Sequence, residues 1–426
     1  MGRPLHVAFF NRSYYPDTAA TGQLLTELCE TLANEHGYRV SVVAGLPLLP
    51  AATASLSPRG LVMRSVHNGV EIVRARGTRF PKRRFVARAS NYVTYFLAAA
   101  YAGLRLDRPD VVVALTDPPI IGLAAYAVAR RFGAPFVMSY HDIFPEVARL
   151  LEDFQSATVE RMLQTVNRFL VRHADRNVTL GDTMRRRLID GKGAPPDRTV
   201  VIPNWTDCTA IVPGPRRNPF AERHGLVDKF VVMHSGNIGL SQALDTLVDA
   251  ADALRHLPDL EVVFVGDGVK KPALEQQARR LGLTNVRFLP YQPLATLTES
   301  FATADVFVVS LKRGLSGYIV PSKLYGILAA GRPYVSAVEE DSEVVQIAQA
   351  YDCGLVAEPG NPRSLADKIL TLYNDRRRAK QMGVNARRAA GHFDRGEHVA
   401  AYSQLFRELL LPRGSALVSA VAADTR

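Results

Sequence analysis

Short apolar runs rich in β-branched residues recur along the whole chain, and each is separated from the next by a stretch with helical periodicity. This alternation restricts the fold more than any other feature, because it is the pattern of parallel sheets covered by helices on both faces. In the first half the expected strands are LHVAFF at Leu5, RVSVVAG at Arg39, VEIVRA at Val70, DVVVAL at Asp110, PFVMSY at Pro135 and NVTL at Asn177. In the second they are FVVMHSG at Phe230, LEVVFVG at Leu260, VRFLP at Val286, DVFVVSL at Asp305 and PYVSAV at Pro333. Amphipathic helices are expected between them, at Thr21–Glu35, Leu244–His256, Lys271–Leu281 and Ser364–Asn374.

A chain of 426 residues is long for one domain. The rhythm breaks at VIPNWTDCTAIVPGPRRNP, Val201 to Pro219, where four prolines and a glycine read as a linker. The expected organisation is therefore α/β, two doubly wound, Rossmann-like domains with sheets of five or six strands. They cover residues 1–205 and 206–391, followed by a helix within 392–414 packing back towards the first domain and a flexible tail at 415–426. Each half opens with a strand, a glycine-containing turn and a helix, as in FFNRSYYPDTAATGQLLTEL and VVMHSGNIGLSQALDTLVDAA.

The 52 Lys and Arg exceed the 41 Asp and Glu, for a net charge of +11, which suggests an anionic partner. There is no zinc-type Cys/His spacing, no RNP-like strand and no KH loop, so a nucleic-acid module is not supported and phosphates on nucleotides or lipids are the better match. Cys29, Cys208 and Cys353 are isolated, as in a reducing compartment, and MGRPLHVAFF lacks the apolar core of a signal peptide, so cytoplasm is expected. The uncharged stretch Ala89–Leu104 is shorter than the roughly 20 residues of a spanning helix. With Lys82, Arg83, Arg84 and Arg88 before Tyr92, Tyr95, Phe96 and Tyr101, it reads either as a helix lying on an anionic membrane, with contact near Arg83–Arg88, or as a buried helix with a solvated basic lead-in.

In doubly wound sheets ligands bind at the carboxyl ends of the strands, where helix N-termini offer free N–H groups to phosphates. Gly236, Asn237 and Gly239 in SGNIGLSQ form one such turn, with Ser241 or Gln242 opening the next helix. Thr21 and Gly22, after a loop holding Tyr14, Tyr15 and Pro16, form the other. A nicotinamide site would need G-x-G-x-x-G and an acid ending the second strand, and neither is present. Gly266, Asp267 and Gly268 end a further strand, where turn geometry alone could account for them.

Taken in order, FFNRSYYPDTAATGQLLTEL, YHDIFPEVA, ADRNVTLGDTMRRRL, VIPNWTD, SGNIGLSQALDTLVDAA, VGDGVKKPALE, PSKLYGILAAGRP and SEVVQIAQAYDCGLVAEPGNPRSLADKI resemble family 4 glycosyltransferases of the GT-B fold, especially bacterial enzymes of exopolysaccharide and O-antigen assembly. The resemblance implies a nucleotide-sugar donor, with UDP or GDP, held mainly by the C-terminal domain through Gly22, Gly236, Asn237, Gly239, Gly268, Lys312, Ser322 and Lys323. It implies an acceptor held mainly by the N-terminal domain, retention of configuration, and no cofactor or metal ion. PSKLYG is similar to the form found in a branch that transfers deoxy- or amino-deoxy-sugars. Ser322 is an expected N-cap, with Lys323 adding charge beside the phosphates.

The segment departs from the family in one respect. Typical members carry a pair of glutamates here, the second at the place of Gly326 and in contact with the ribose, whereas Gly314 to Pro333 contains no carboxylate. The usual Arg and Lys after the SGNIG turn are also missing, so Lys312, Arg313 or Lys323 are expected to compensate. His141 and Asp142 lie just past PFVMSY, at the correct sheet edge for catalysis, with Asp17 and Tyr15 as candidates for acceptor contact. Glu146 suits either the cleft or a helix start. The rival readings are a nucleotide-sugar 2-epimerase and a non-catalytic sugar-nucleotide-binding subunit, the latter favoured by the missing glutamates.

Overall fold

The computed structural model describes residues 3–17, 20–47, 60–80, 85–151 and 156–411. The N-terminal sheet has eight strands: β1 His6–Phe10, β2 Arg39–Ala44, β3 Val62–His67, β4 Val70–Ala75, β5 Val111–Ala114, β6 Phe136–Ser139, β7 Arg176–Thr179 and β8 Thr199–Val201. Their order is β3-β4-β2-β1-β5-β6-β7-β8, and every pair is parallel except β3 with β4. The C-terminal sheet contains β9 Phe230–Ser235, β10 Leu260–Val265, β11 Val286–Leu289, β12 Val306–Ser310, β13 Tyr334–Ala337 and β14 Gly354–Val356. Its order is β11-β10-β9-β12-β13-β14, all parallel.

Eight strands replace the expected five or six in the first sheet, and the additions share a cause. No residue of β3 is fully buried and it reads VMRSVH, while β8 and β14 are three residues each, so none of them shows as an apolar run. The central strands do show, because helices cover both of their faces and every residue of β1, β9, β10 and β12 is buried. Four apolar clusters result, one on each face of each sheet.

The helices used below are α1 Ala20–Asn34, α2 Phe85–Gly103, α3 Ile121–Phe132, α4 Glu146–Leu150, α5 Ala157–His173, α6 Asp182–Lys192, α7 Pro219–Arg223, α8 Asp245–Ala253, α9 Lys271–Arg280, α10 Leu294–Thr303, α11 Lys323–Ala329, α12 Glu343–Ala350, α13 Pro362–Asn374, α14 Arg376–Ala390 and α15 Arg395–Leu410. Several ends are set locally: the Asn361 and Asp394 side chains cap α13 and α15 by accepting first-turn N–H groups, and Gly133 closes α3 in the left-handed region.

Crossing points between the two sheets lie side by side. Thr206 leaves the first domain, and its N–H donates to Phe393, while Arg395 N–H donates back to Thr206 as the chain returns. Arg395 and Asp207 form an ion pair at 3.2 Å across the same point. Beyond it α15 lies on the first domain: Val399, Tyr402, Leu405 and Phe406 enter the core of β1 and α1, and the Tyr38 hydroxyl donates to the Ser403 carbonyl. The tail at 415–426 lies outside the described residues.

Candidate active site

The loop after β12 reaches across to the segment that follows β6 at its carboxyl end. Gly314 and Gly317 both take positive φ, which lets the chain turn twice within GLSGYIV. Tyr318 then accepts from Ile143 N–H at 2.9 Å, and Asp142 forms a backbone bridge with Ile319. The loop is fastened on its own side by Glu339, whose two carboxylate oxygens accept Gly314 N–H (2.8 Å) and Ser316 N–H (3.1 Å). So a carboxylate does organise this segment, supplied from beyond β13.

On the C-terminal side Lys323 opens α11, with its ammonium 3.3 Å from His234 Nε2. Its last carbon and nitrogen lie over Gly236, whose φ of 129° requires glycine. Desolvation pushes the Lys323 pKa down to about 7, so this cation lacks the solvation or anion that would keep it charged. His234 is held well below its usual range by burial and then by Lys323.

The two glycine turns lock together through their backbones. Ile238 N–H donates to Asp267, Lys270 N–H donates to Ile238, and a Cβ on Gly268 would fall 2.3 Å from the Ile238 carbonyl oxygen. Gly268 therefore serves close backbone packing, and a Cβ there would also stand 2.7 Å from Asn237 Oδ1. The Gly239 N–H is taken by Gln242 Oε1 at 2.9 Å, and the following helix starts at Asp245 rather than at Ser241 or Gln242.

The geometry places four more of these residues. Ser322 occupies the N-cap of α11 in helical φ,ψ and makes no capping bond, so Lys323 is the polar side chain that marks the start of this seven-residue helix. Lys312 is directed across the interface, donating to the Leu150 carbonyl at 2.8 Å. Gly326 faces Phe301 and Ile211, 3.0 and 3.7 Å from where its Cβ would stand, a packed position in which glycine makes room for the ring. Arg313 pairs with Glu358 at 2.6 Å.

On the N-terminal side His141 and Asp142 are half-buried at the end of β6. Burial lowers the His141 pKa to about 4, which leaves the imidazole neutral at physiological pH. Beneath it lies a small apolar pocket lined by Phe9, Leu24, Leu115, Ser139, Trp205 and Tyr402. Asp142 is raised to about 7 by burial and then by the negative charge of Asp117.

Asp117 and its partners belong to the site although the motif reading passed over them. Asp117 accepts from Ser13 Oγ at 2.7 Å and pairs with Arg12 at 3.2 Å, and Asp142 N–H donates to the neighbouring Thr116 hydroxyl at 3.3 Å. The readable signal was an acid two residues past the run DVVVAL, the same position that Asp142 holds after PFVMSY. Gly22 packs beside Ser13, where an added Cβ would stand 3.4 Å from the Ser13 backbone, an ordinary contact. Asp17 is buried and faces Arg74, Tyr15 stacks on His67 with ring centroids 3.6 Å apart, and Glu146 both starts α4 and binds the Lys192 ammonium at 2.6 Å. The arrangement brings a poised cation and a glycine turn opposite a neutral His and a protonatable Asp.

The domains also grip one another beside the site. Glu343 at the start of α12 reaches into the first turn of α6, where Oε1 accepts Met184 N–H at 3.1 Å and Oε2 is buried without a partner. A Cβ on Gly181 would stand 2.2 Å from Glu343 Cγ. Thr183 donates to the Asp341 carbonyl, and Arg187 pairs with Asp341 at 3.3 Å.

Comparison with known proteins agrees with this layout. The Glycosyl transferase 4-like domain family matches residues 20–205, and the Glycosyl transferases group 1 family matches residues 217–389. The probable glycosyltransferase WbjE of Pseudomonas aeruginosa is 31% identical over 283 residues, covering 64% of this chain and 68% of that protein. The putative colanic acid biosynthesis glycosyl transferase WcaI of Escherichia coli is 25% identical over 377 residues, 86% of this chain and 91% of the relative. Among solved structures, Anabaena HepE in complex with UDP and glucose superposes with a TM-score of 0.72 at 18% identity, covering 95% of this chain and all (100%) of that one.

Proposed function

The chain belongs to the group 1 glycosyltransferases of the GT-B fold, and from that premise we propose that it is a retaining enzyme of cell-surface polysaccharide assembly. It moves a sugar from a nucleoside diphosphate, UDP or GDP, to a polyprenyl-linked glycan at the inner face of the cytoplasmic membrane. The observation that carries this reading is Lys323, a desolvated cation held over Gly236 with no acid to neutralise it in the surrounding loop and helix. A donor diphosphate supplies the missing anion. As the bond from C1 to the phosphate oxygen breaks, charge grows on that oxygen and Lys323 offsets it, so no metal ion is required. Across the cleft, ionised Asp142 accepts a hydrogen bond from the acceptor hydroxyl and neutral His141 donates one to the sugar. The HepE complex with UDP and glucose and the colanic acid role in the name of WcaI support the donor and pathway class.

Calorimetric titration with UDP and GDP, with and without EDTA, tests the donor site. Micromolar binding of one diphosphate that survives EDTA and is lost in Lys323→Ala is expected, together with transfer to a lipid-linked acceptor. The packed Gly326, which leaves no carboxylate for a ribose, favours a second reading as a non-catalytic subunit. Absence of binding by every diphosphate would put that reading first.

A further inference from the structure

One short segment of the second domain is built into the first. Along Tyr318, Ile319 and Val320 the side chains alternate between the domains. Tyr318 packs against the apolar cluster of β5, β6 and α3, Val320 is a buried member of it, and Ile319 packs against the cluster of the second domain. This is the two-residue period of an extended strand. The backbone is paired to match, through Ile143 N–H to the Tyr318 carbonyl and the bridge between Asp142 and Ile319. The segment is a strap laid between the domains, ending three residues before Lys323 and in backbone contact with Asp142.

The turns that lead into the strap need an outside hold. Gly314 and Gly317 both take positive φ and both are pressed by the first domain, where an added Cβ would stand 3.1 Å from Leu150 Cδ2 and 2.7 Å from Thr183 Cγ2 respectively. Two glycines in four residues leave a chain many other conformations. Half-buried Glu339, just past β13, selects this one: Oε1 accepts Gly314 N–H at 2.8 Å and Oε2 accepts Ser316 N–H at 3.1 Å, so its bonds hold alternate residues of the turn. Hydrogen bonds to a carboxylate are among the strong ones. At the base of the loop the Lys312 N–H donates to the Ser241 carbonyl, next to the glycine turn of the second domain.

We infer that Glu339 is a positioning residue for sugar transfer. By fixing the loop at Gly314 and Ser316 it holds the strap against Asp142 and Ile143, and so sets the acid of one domain in register with Lys323 of the other. The roles of Asp142 and Lys323 rest on the function proposed above, whereas the mechanical link from Glu339 to Ile143 does not. Lys323 keeps its place without that link, because Leu324 and Tyr325 beside it are buried in the second core. Losing Glu339 therefore leaves the donor side standing and frees the strap from the acid.

The test compares the whole wild-type protein with Glu339→Ala and Glu339→Gln. Deuterium exchange at Ile143 should quicken about tenfold or more in Glu339→Ala, while exchange within β9 stays as in the wild type. Transfer should fall by about 10²-fold in kcat, with diphosphate affinity kept within about twofold. Glu339→Gln accepts only one of the two N–H groups and should fall between. The limb of kcat governed by Asp142, which burial places near 7, should move towards the ordinary carboxylate range, since detachment admits water while Asp117, the charge that acts on it, is unaltered. A merely structural loss would leave that midpoint in place. Unchanged exchange at Ile143, unchanged kcat, or a fall in diphosphate affinity as large as that in kcat would each overturn the assignment. A wild type that binds no diphosphate, with Ile143 exchange still answering to Glu339, would overturn the proposed function alone.

Discussion

Glu343 and Gly181 make domain closure measurable as a pairwise energy. Glu343 supplies a first-turn N–H of α6 with its acceptor from the opposite domain, and Gly181 leaves the space through which that side chain passes. A hydrogen bond to a charged group contributes about 1.5–3 kcal/mol, and here desolvation of the carboxylate offsets part of it, so Glu343→Ala should cost closure about 1–2 kcal/mol. At about 1.4 kcal/mol per decade this lowers the closed-to-open ratio roughly 5- to 30-fold. Gly181→Ala should cost at least as much, because its Cβ collides with Glu343 Cγ and alanine is also a poorer N-cap. In the double variant the collision is gone, so the two effects should fall short of adding by about 1 kcal/mol or more. An interdomain distance measured by paired spin labels, with the populations fitted for all four proteins, gives the cycle directly. Burial raises the Glu343 pKa above the ordinary range in the closed state. Closure is therefore most favourable at pH below that range and weakens as pH rises through the raised value, a dependence that Glu343→Gln should remove. Full additivity, or an unchanged pH profile in Glu343→Gln, would refute the argument.

The remaining predictions concern the site. Lys323, held near 7, must take up a proton when an anionic donor binds. Diphosphate affinity should thus fall above pH 7 by up to about tenfold per unit, and calorimetry in buffers of different ionisation enthalpy should show the uptake in the wild type and none in Lys323→Met. Asp142 must be ionised to accept from the acceptor, so kcat should rise with pH through about 7. Asp142→Asn should flatten that limb and lower kcat by about 10²-fold or more, while Asp117→Asn should move its midpoint lower. Restoring a glutamate at Gly326 should press on Phe301, cost about 1–3 kcal/mol and lower the melting temperature on the order of 5 °C, which differential scanning calorimetry would read. An unchanged or higher melting temperature would show that the ring yields freely.

What could be read from the sequence follows from how local the cause is. The central strands were legible because burial on both faces demands unbroken apolar runs, and β3 was not, because its exposed face imposes no such demand. Lys323 was legible because a cation next to glycines is unusual within its own segment. Glu339 was not, since it acts on Gly314 and Ser316 from beyond another strand. Ser322 shows the opposite failure: the local capping preference is real, yet the chain enters α11 already helical and the hydroxyl has no N–H to meet. Asp117 could have been found by the rule that selected His141, applied to the end of β5.

The return of α15 to the first domain also has a consequence for how the protein is made. Phe406 and Tyr402 complete a core whose other members, around Phe9 and Leu25, leave the ribosome first. At about 5–20 residues per second, roughly 190 residues and 10–40 s separate Trp205 from α15. Throughout that interval the emerging first half exposes the apolar seat of its last helix, so it is the newborn chain that most needs shielding by chaperones.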